Sequence, residues 1–142
     1  MMRSNRIAGP NRTIMKFGYA IIYVPDVEAA IAFYEKAFGL TRRFVVESGE
    51  YGELDTGATA LAFAADFLGE KNLPGGYRRN RAGDLPSGFE VALVTEDVAA
   101  AFEKAIAAGA VLVSHPEVKP WGQVVAYVRD LNGVLVEICS PL

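Results

Sequence analysis

The chain has 142 residues, 51% of them hydrophobic and 22% charged, with 14 Lys and Arg against 17 Asp and Glu. That length fits one domain around a single core, and the apolar fraction excludes a disordered chain. The net charge of −3 argues against a phosphate-backbone partner, which needs a basic stripe, and no apolar run approaches the roughly 20 residues of a membrane helix.

Residues 1–14 carry Arg3, Arg6 and Arg12 but no apolar stretch, and read as a frayed extension rather than a secretory signal. A cytoplasmic location is therefore expected, with no nucleic-acid or membrane partner. Regular patterning starts at Met15. Tyr19 to Val24 is an apolar, partly β-branched run and predicts a strand. Asp26 then stands where a helix N-cap belongs, and Val27, Ala30, Ile31, Tyr34, Ala37 and Phe38 recur at helical spacing. Gly39 supplies the left-handed residue that ends this helix. Phe44–Glu47, Tyr51–Asp55 and Ala58–Ala64 follow as short strands, separated by the turn signals Ser48-Gly49 and Thr56-Gly57.

Asp66 to Gly88 is rich in Gly, Pro and charge, including Lys71, Arg78, Arg79 and Arg81. It reads either as a solvated connection or as a basic lid over an anionic ligand. Beyond it the first pattern returns. Glu90 to Thr95 is a strand, Asp97 a second N-cap, and Gly109 a second helix stop. Strands follow at Val111–Ser114, Val124–Arg129 and Val134–Ile138, the last two separated by Asn132-Gly133. Asp26 and Asp97 lie 71 residues apart, half the chain, so a βαβββ unit is duplicated. The expected fold class is α+β: two tandem modules (15–65 and 89–142, joined by linker 66–88) in one domain, forming a cupped, mostly antiparallel sheet with helices on its outer face.

Three stretches, Val24-Pro-Asp-Val27, Ala30-Ile-Ala-Phe-Tyr34 with Phe38-Gly-Leu40, and Val128-Arg-Asp-Leu-Asn-Gly-Val-Leu-Val-Glu-Ile138, resemble the vicinal oxygen chelate superfamily of glyoxalases, bleomycin-resistance proteins and extradiol dioxygenases. The resemblance runs from Met15 nearly to the C-terminus. It implies the cupped fold, but that fold serves lyases, isomerases, oxygenases and drug-sequestering proteins alike. Metal-binding members place four donors in the cup, usually a histidine on each module's first strand and a glutamate on each last strand. Carried onto this chain, those positions are Tyr19, Ala62, Glu90 and Glu137. Alanine offers no donor and neutral tyrosine a poor one, whereas transition-metal sites want three or more imidazole, thiolate or carboxylate ligands. His115 matches none of the four and is expected in a loop before Pro116. No metal or other cofactor is therefore expected, an oxygen-rich divalent-cation site on the two glutamates being the alternative.

Without a cation, Glu90 and Glu137 are expected to repel and to make one carboxyl hard to ionise. The pair then serves either acid/base catalysis or the capture of a cationic ligand; alternatively, backbone amides, Tyr19 or an arginine satisfy each of them. Trp121, in a Pro-Trp-Gly sequence that resembles the bleomycin-resistance branch, either stacks on a ligand or caps the core. Tyr51, Tyr127 and Phe63 face either the cup or the helices, and Cys139 reads as a small buried hydrophobe. The favoured function is binding of an aromatic or cationic small molecule through Tyr19, Ala62, Glu90, Trp121 and Glu137. The rival is a glyoxalase- or dioxygenase-type enzyme (lyase, isomerase or oxygenase), either a metal-free acid/base catalyst using Glu90 and Glu137 or a metal-dependent one. The resemblance also implies a homodimer.

Overall fold

The computed structural model describes residues 14–142. The duplication expected from the sequence appears as two copies of one topology. Module one contains β1 (Tyr19–Val24), α1 (Val27–Phe38), β2 (Thr41–Val45), β3 (Tyr51–Asp55) and β4 (Ala60–Ala65). After a short helix, α2 (Asp66–Asn72), module two contains β5 (Glu90–Val94), α3 (Val98–Ala107), β6 (Val111–Val118), β7 (Val124–Arg129) and β8 (Leu135–Cys139). Each module makes its own four-stranded sheet, ordered β1-β4-β3-β2 and β5-β8-β7-β6, in which only the β1/β4 and β5/β8 pairs are parallel. The α+β class with two tandem βαβββ modules is the one the sequence implies.

Both long helices begin as their sequences dictate. Asp26 and Asp97 accept from the amides of Ala29 and Ala100, each at 3.0 Å, satisfying a donor that the first turn leaves free. Gly39 stops α1 at φ 70°, donating to the carbonyls of Glu35 and Tyr34. The apolar stripe of α1 packs on β2, β3 and β4, that of α3 packs on β6, β7 and β8, and the two helices pack on each other. One core results, containing Ile22, Leu54, Leu61 and Phe63 from the first sheet and Ala126, Val128, Val136 and Ile138 from the second. The modules therefore meet through their helices, while edge strands β1 and β5 share no hydrogen-bonded ladder. Two of the sequence stretches quoted above join across this contact. The Tyr34 hydroxyl donates to Asp130 at 2.7 Å, with both side chains buried, and Asp130 also accepts from the amides of Asn132 and Val134.

Three expectations need correction. Strand β2 begins at Thr41 rather than Phe44, because Arg42 turns to the helix side and pairs with Glu28 and Glu35 of α1. His115 lies within strand β6, not in a loop. The ladder with β7 is irregular between Leu112 and Glu117, where Pro116 lacks an amide to donate, and the imidazole packs on Phe102 at 5.5 Å. The start of the connection, read as loop, is helix α2. From there the chain is tied back: the Tyr77 hydroxyl donates to Asp66, Arg81 pairs with Asp66 at 2.8 Å, and the Asn80 amide donates to the carbonyl of Tyr23. Arg79 pairs with Glu70. Two of the arginines proposed for an anion-binding lid are thus already matched by the carboxylates of α2.

Candidate functional site

Strand alternation puts every second residue of a sheet on the face away from the helices. In module one that face carries Tyr19, Ile21 and Tyr23 of β1, Ala60, Ala62 and Ala64 of β4, and Tyr51 and Glu53 of β3. In module two it carries Glu90, Ala92 and Val94 of β5, Glu137 and Cys139 of β8, and Tyr127 of β7. The registers make the modules comparable position by position. Ile21 is level with Ala62 on the neighbouring strand, and Ala92 is level with Glu137. Ala62 therefore occupies in the first sheet the place Glu137 takes in the second.

Glu90 and Glu137 come together. Ala92 stands directly beside Glu137, and Glu90 lies one same-face step along β5, so the two carboxyls share a hydrogen bond. Glu90 donates it. That bond, followed by partial burial and repulsion from Glu137, pushes the Glu90 carboxyl up to about 7. Glu137 is held below the usual carboxylate range, chiefly by accepting from Glu90 and further by the Cys139 thiol and the Tyr127 hydroxyl, the latter at 3.2 Å. Among the described residues no lysine or arginine forms an ion pair with either carboxyl; Lys119, whose charge also favours ionised Glu137, pairs with Glu117 at 2.8 Å. One side of the site is thus a carboxyl whose proton is held more tightly than usual beside a second carboxyl that gives its own up more readily.

Tyr19 and Ala62 lie on the other sheet, and no hydrogen bond joins them to the glutamate pair among the described residues. Tyr19 is exposed and Ala62 fully covered. Trp121 occupies the turn between β6 and β7. Its indole donates to Gln123 Oε1 at 2.8 Å, and the Gln123 amide donates to the Ser140 carbonyl at 2.8 Å, tying the turn to the end of the strand that carries Glu137. The ring is 64% exposed, so it does not cap the core. Phe63 does, at 0% exposure, and Cys139 is buried as expected.

Sequence reasoning missed a second carboxylate centre. Glu53 stands level with Ala62 and is only 6% exposed. The Tyr51 hydroxyl donates to it at 2.7 Å and Arg43 at 3.2 Å, while Arg43 also reaches Asp55 at 3.1 Å. The available signal was the alternation of Tyr51, Glu53 and Asp55 on one strand beside an arginine pair. Where module two offers an unmatched carboxyl pair, module one offers a charge-neutralised one. This donor set does not fit a transition metal. Ala62 has no donor atom, Glu53 is taken by Arg43, and no group of three His, Cys, Asp or Glu side chains converges among the described residues.

Two clefts flank β5. One, of about 310 Å³, contains Phe38, Leu40 and Ile138 with, among the described residues, a single charged group, Lys104. The Lys104 ammonium lies close to Gly39, at the C-terminus of α1, where a cation complements the free carbonyls. The other, of about 380 Å³, runs between β5 and the β1/β4 side of module one and is lined by Glu90.

The comparisons with known proteins agree with this architecture. The family profile for the Glyoxalase/Bleomycin resistance protein/Dioxygenase superfamily matches residues 16–138. No curated protein matches the chain. Among solved structures, a glyoxalase/bleomycin resistance protein/dioxygenase family enzyme from Burkholderia phytofirmans PsJN is 24% identical with a TM-score of 0.78, covering 90% of this chain and 100% of its own. A glyoxalase-related enzyme from Fulvimarina pelagi is 23% identical with a TM-score of 0.76, covering 90% of this chain and 89% of its own. TioX from Micromonospora sp. ML1 is 24% identical with a TM-score of 0.64, covering 90% and 98%. At these identities the neighbours speak for the fold, and the profile speaks for the family: this chain belongs to the glyoxalase/bleomycin resistance protein/dioxygenase superfamily.

Proposed function

We propose that this protein is a cytoplasmic, metal-free binder of a small aromatic cation, with Glu90 and Glu137 supplying the charge and Tyr19 and Trp121 aromatic surface. The observation that carries this is the carboxyl pair itself, set on an accessible sheet face with no ion-paired arginine or lysine among the described residues. A cation entering there replaces the shared proton and relieves the repulsion of two carboxylates. Covered Ala62 serves as a small floor residue that leaves room beside β1. The unpaired edges of β1 and β5, with Tyr19, Ile21 and Val94 exposed on them, favour a homodimer in which a second copy brings the two kinds of face together.

Calorimetric titration with 9-aminoacridine, a planar cation, tests the electrostatic core. Binding is expected to be stoichiometric, to weaken with salt, and to fall about tenfold in Glu137→Gln, the loss of one charge-assisted contact. Unchanged affinity in that variant removes the carboxylates from the site.

A second reading has its own support. A carboxyl near 7 beside an ionised one is matched to general acid/base work at neutral pH. Metal-free turnover of a small carbonyl substrate, lost in Glu90→Gln, would favour an enzyme over a binder.

A further inference from the structure

The cleft between β5 and module one is apolar for most of its extent, with Phe17, Ala60 and Leu61 on one side and Phe89 and Val91 on the other. Its hydroxyls are already engaged. Thr59 donates to the Phe17 carbonyl at 2.6 Å, and Thr56 donates to the Thr59 carbonyl while accepting from the Leu61 amide. Among the described residues Glu90 is the one ionisable group lining the cleft, and it is also a member of the carboxyl pair. Phe17 and Phe89 leave large aromatic surface in water, 73% and 49% exposed, one from each module. A volume of about 380 Å³ lies at the small end of ligand pockets, which suits a few fused rings and excludes a dinucleotide.

We infer that this inter-module cleft holds the apolar body of the ligand, a planar amine whose rings lie against Phe17 and Phe89 and whose ammonium meets Glu90. This rests on the binding role given to the carboxyl pair and extends it to a place and a ligand class. Neutral apolar molecules lack the group that the carboxyl pair matches, and anions are repelled by its ionised member, Glu137. Because the walls come from both modules, an occupant bridges them.

The test is the affinity of 9-aminoacridine for the full chain and for Phe17→Ala, Phe89→Ala and Glu137→Gln. Both phenylalanines are substantially exposed, so their truncation is expected to leave the fold intact, as circular dichroism would verify. Each is expected to weaken binding about fivefold to tenfold through lost ring contact. A loss at either aromatic supports the cleft. If both bind like the parent while Glu137→Gln weakens, the cleft is wrong and the carboxyl pair stands. If the parent itself does not bind the probe, or if no variant changes affinity, both fall.

Discussion

Glu90 is the residue on which pH acts. Its proton is retained up to about 7 because the proton lies in the bond to Glu137, and the groups facing the pair are Tyr127, Cys139 and, more distantly, Lys119. A raised carboxyl contributes stability that is full below its ordinary 4.5 and lost as pH rises through about 7, whereas lowered Glu137 contributes in the opposite sense, losing its share as pH falls. Binding of a cation follows the charge. Affinity for 9-aminoacridine is expected to rise as pH passes through about 7, and Glu90→Gln is expected to flatten that profile; a flat profile in the parent would contradict the shared proton. The pairing of these two glutamates is what the family resemblance implied, the 71-residue repeat carrying the first-strand position of module one onto Glu90 and the last strand of module two supplying Glu137. The Glu53 centre was not. Its partner Arg43 sits at an irregularity between Arg42 and Phe44, and cross-strand register of that kind leaves no trace in periodicity. Tyr51→Phe is expected to cost about 1 kcal/mol in urea unfolding, since it removes one of two side chains holding a buried carboxylate.

Among the elements, those with strong local signals were read correctly. Strands β1, β3 and β7 and both N-capped helices stand where turn residues and apolar spacing put them. Helix α2 was not legible: it has seven residues, no side-chain cap, and Gly69 in its interior. Its existence depends on tertiary contacts, because Gly69 is where the Tyr77 ring comes to rest. A Cβ there would meet that ring at 2.6 Å. Gly69→Ala is accordingly expected to release Tyr77 from Asp66 and to speed proteolysis within 73–88, while an unchanged digestion pattern would separate α2 from the packing of that segment. The contact between α1 and the β7–β8 turn is equally specific. Tyr34→Phe removes a hydrogen bond from buried Asp130 and is expected to cost about 1–3 kcal/mol, measured by denaturant midpoint. The sequence stretches that resemble the superfamily owe part of their character to this joint, and so report fold more directly than chemistry.

At the scale of the molecule, two copies of one module have diverged on their exposed faces while keeping a common core. One face holds a carboxylate neutralised by Arg43, the other a carboxyl pair held together by a proton. The scaffold was legible because helix caps, turns and apolar spacing repeat; the difference between the faces arises from single substitutions that only strand register interprets. No helix among the described residues is long and apolar enough to cross a membrane. Sedimentation velocity is expected to show a dimer, given the unpaired edges of β1 and β5, and a monomer at all concentrations would remove the second copy from the site. The most direct test of the whole account is elemental analysis of protein purified without chelators. A carboxyl pair that works through a proton and an organic cation predicts only traces of transition metal, and Ni, Zn, Fe or Mn bound at one per chain would contradict it.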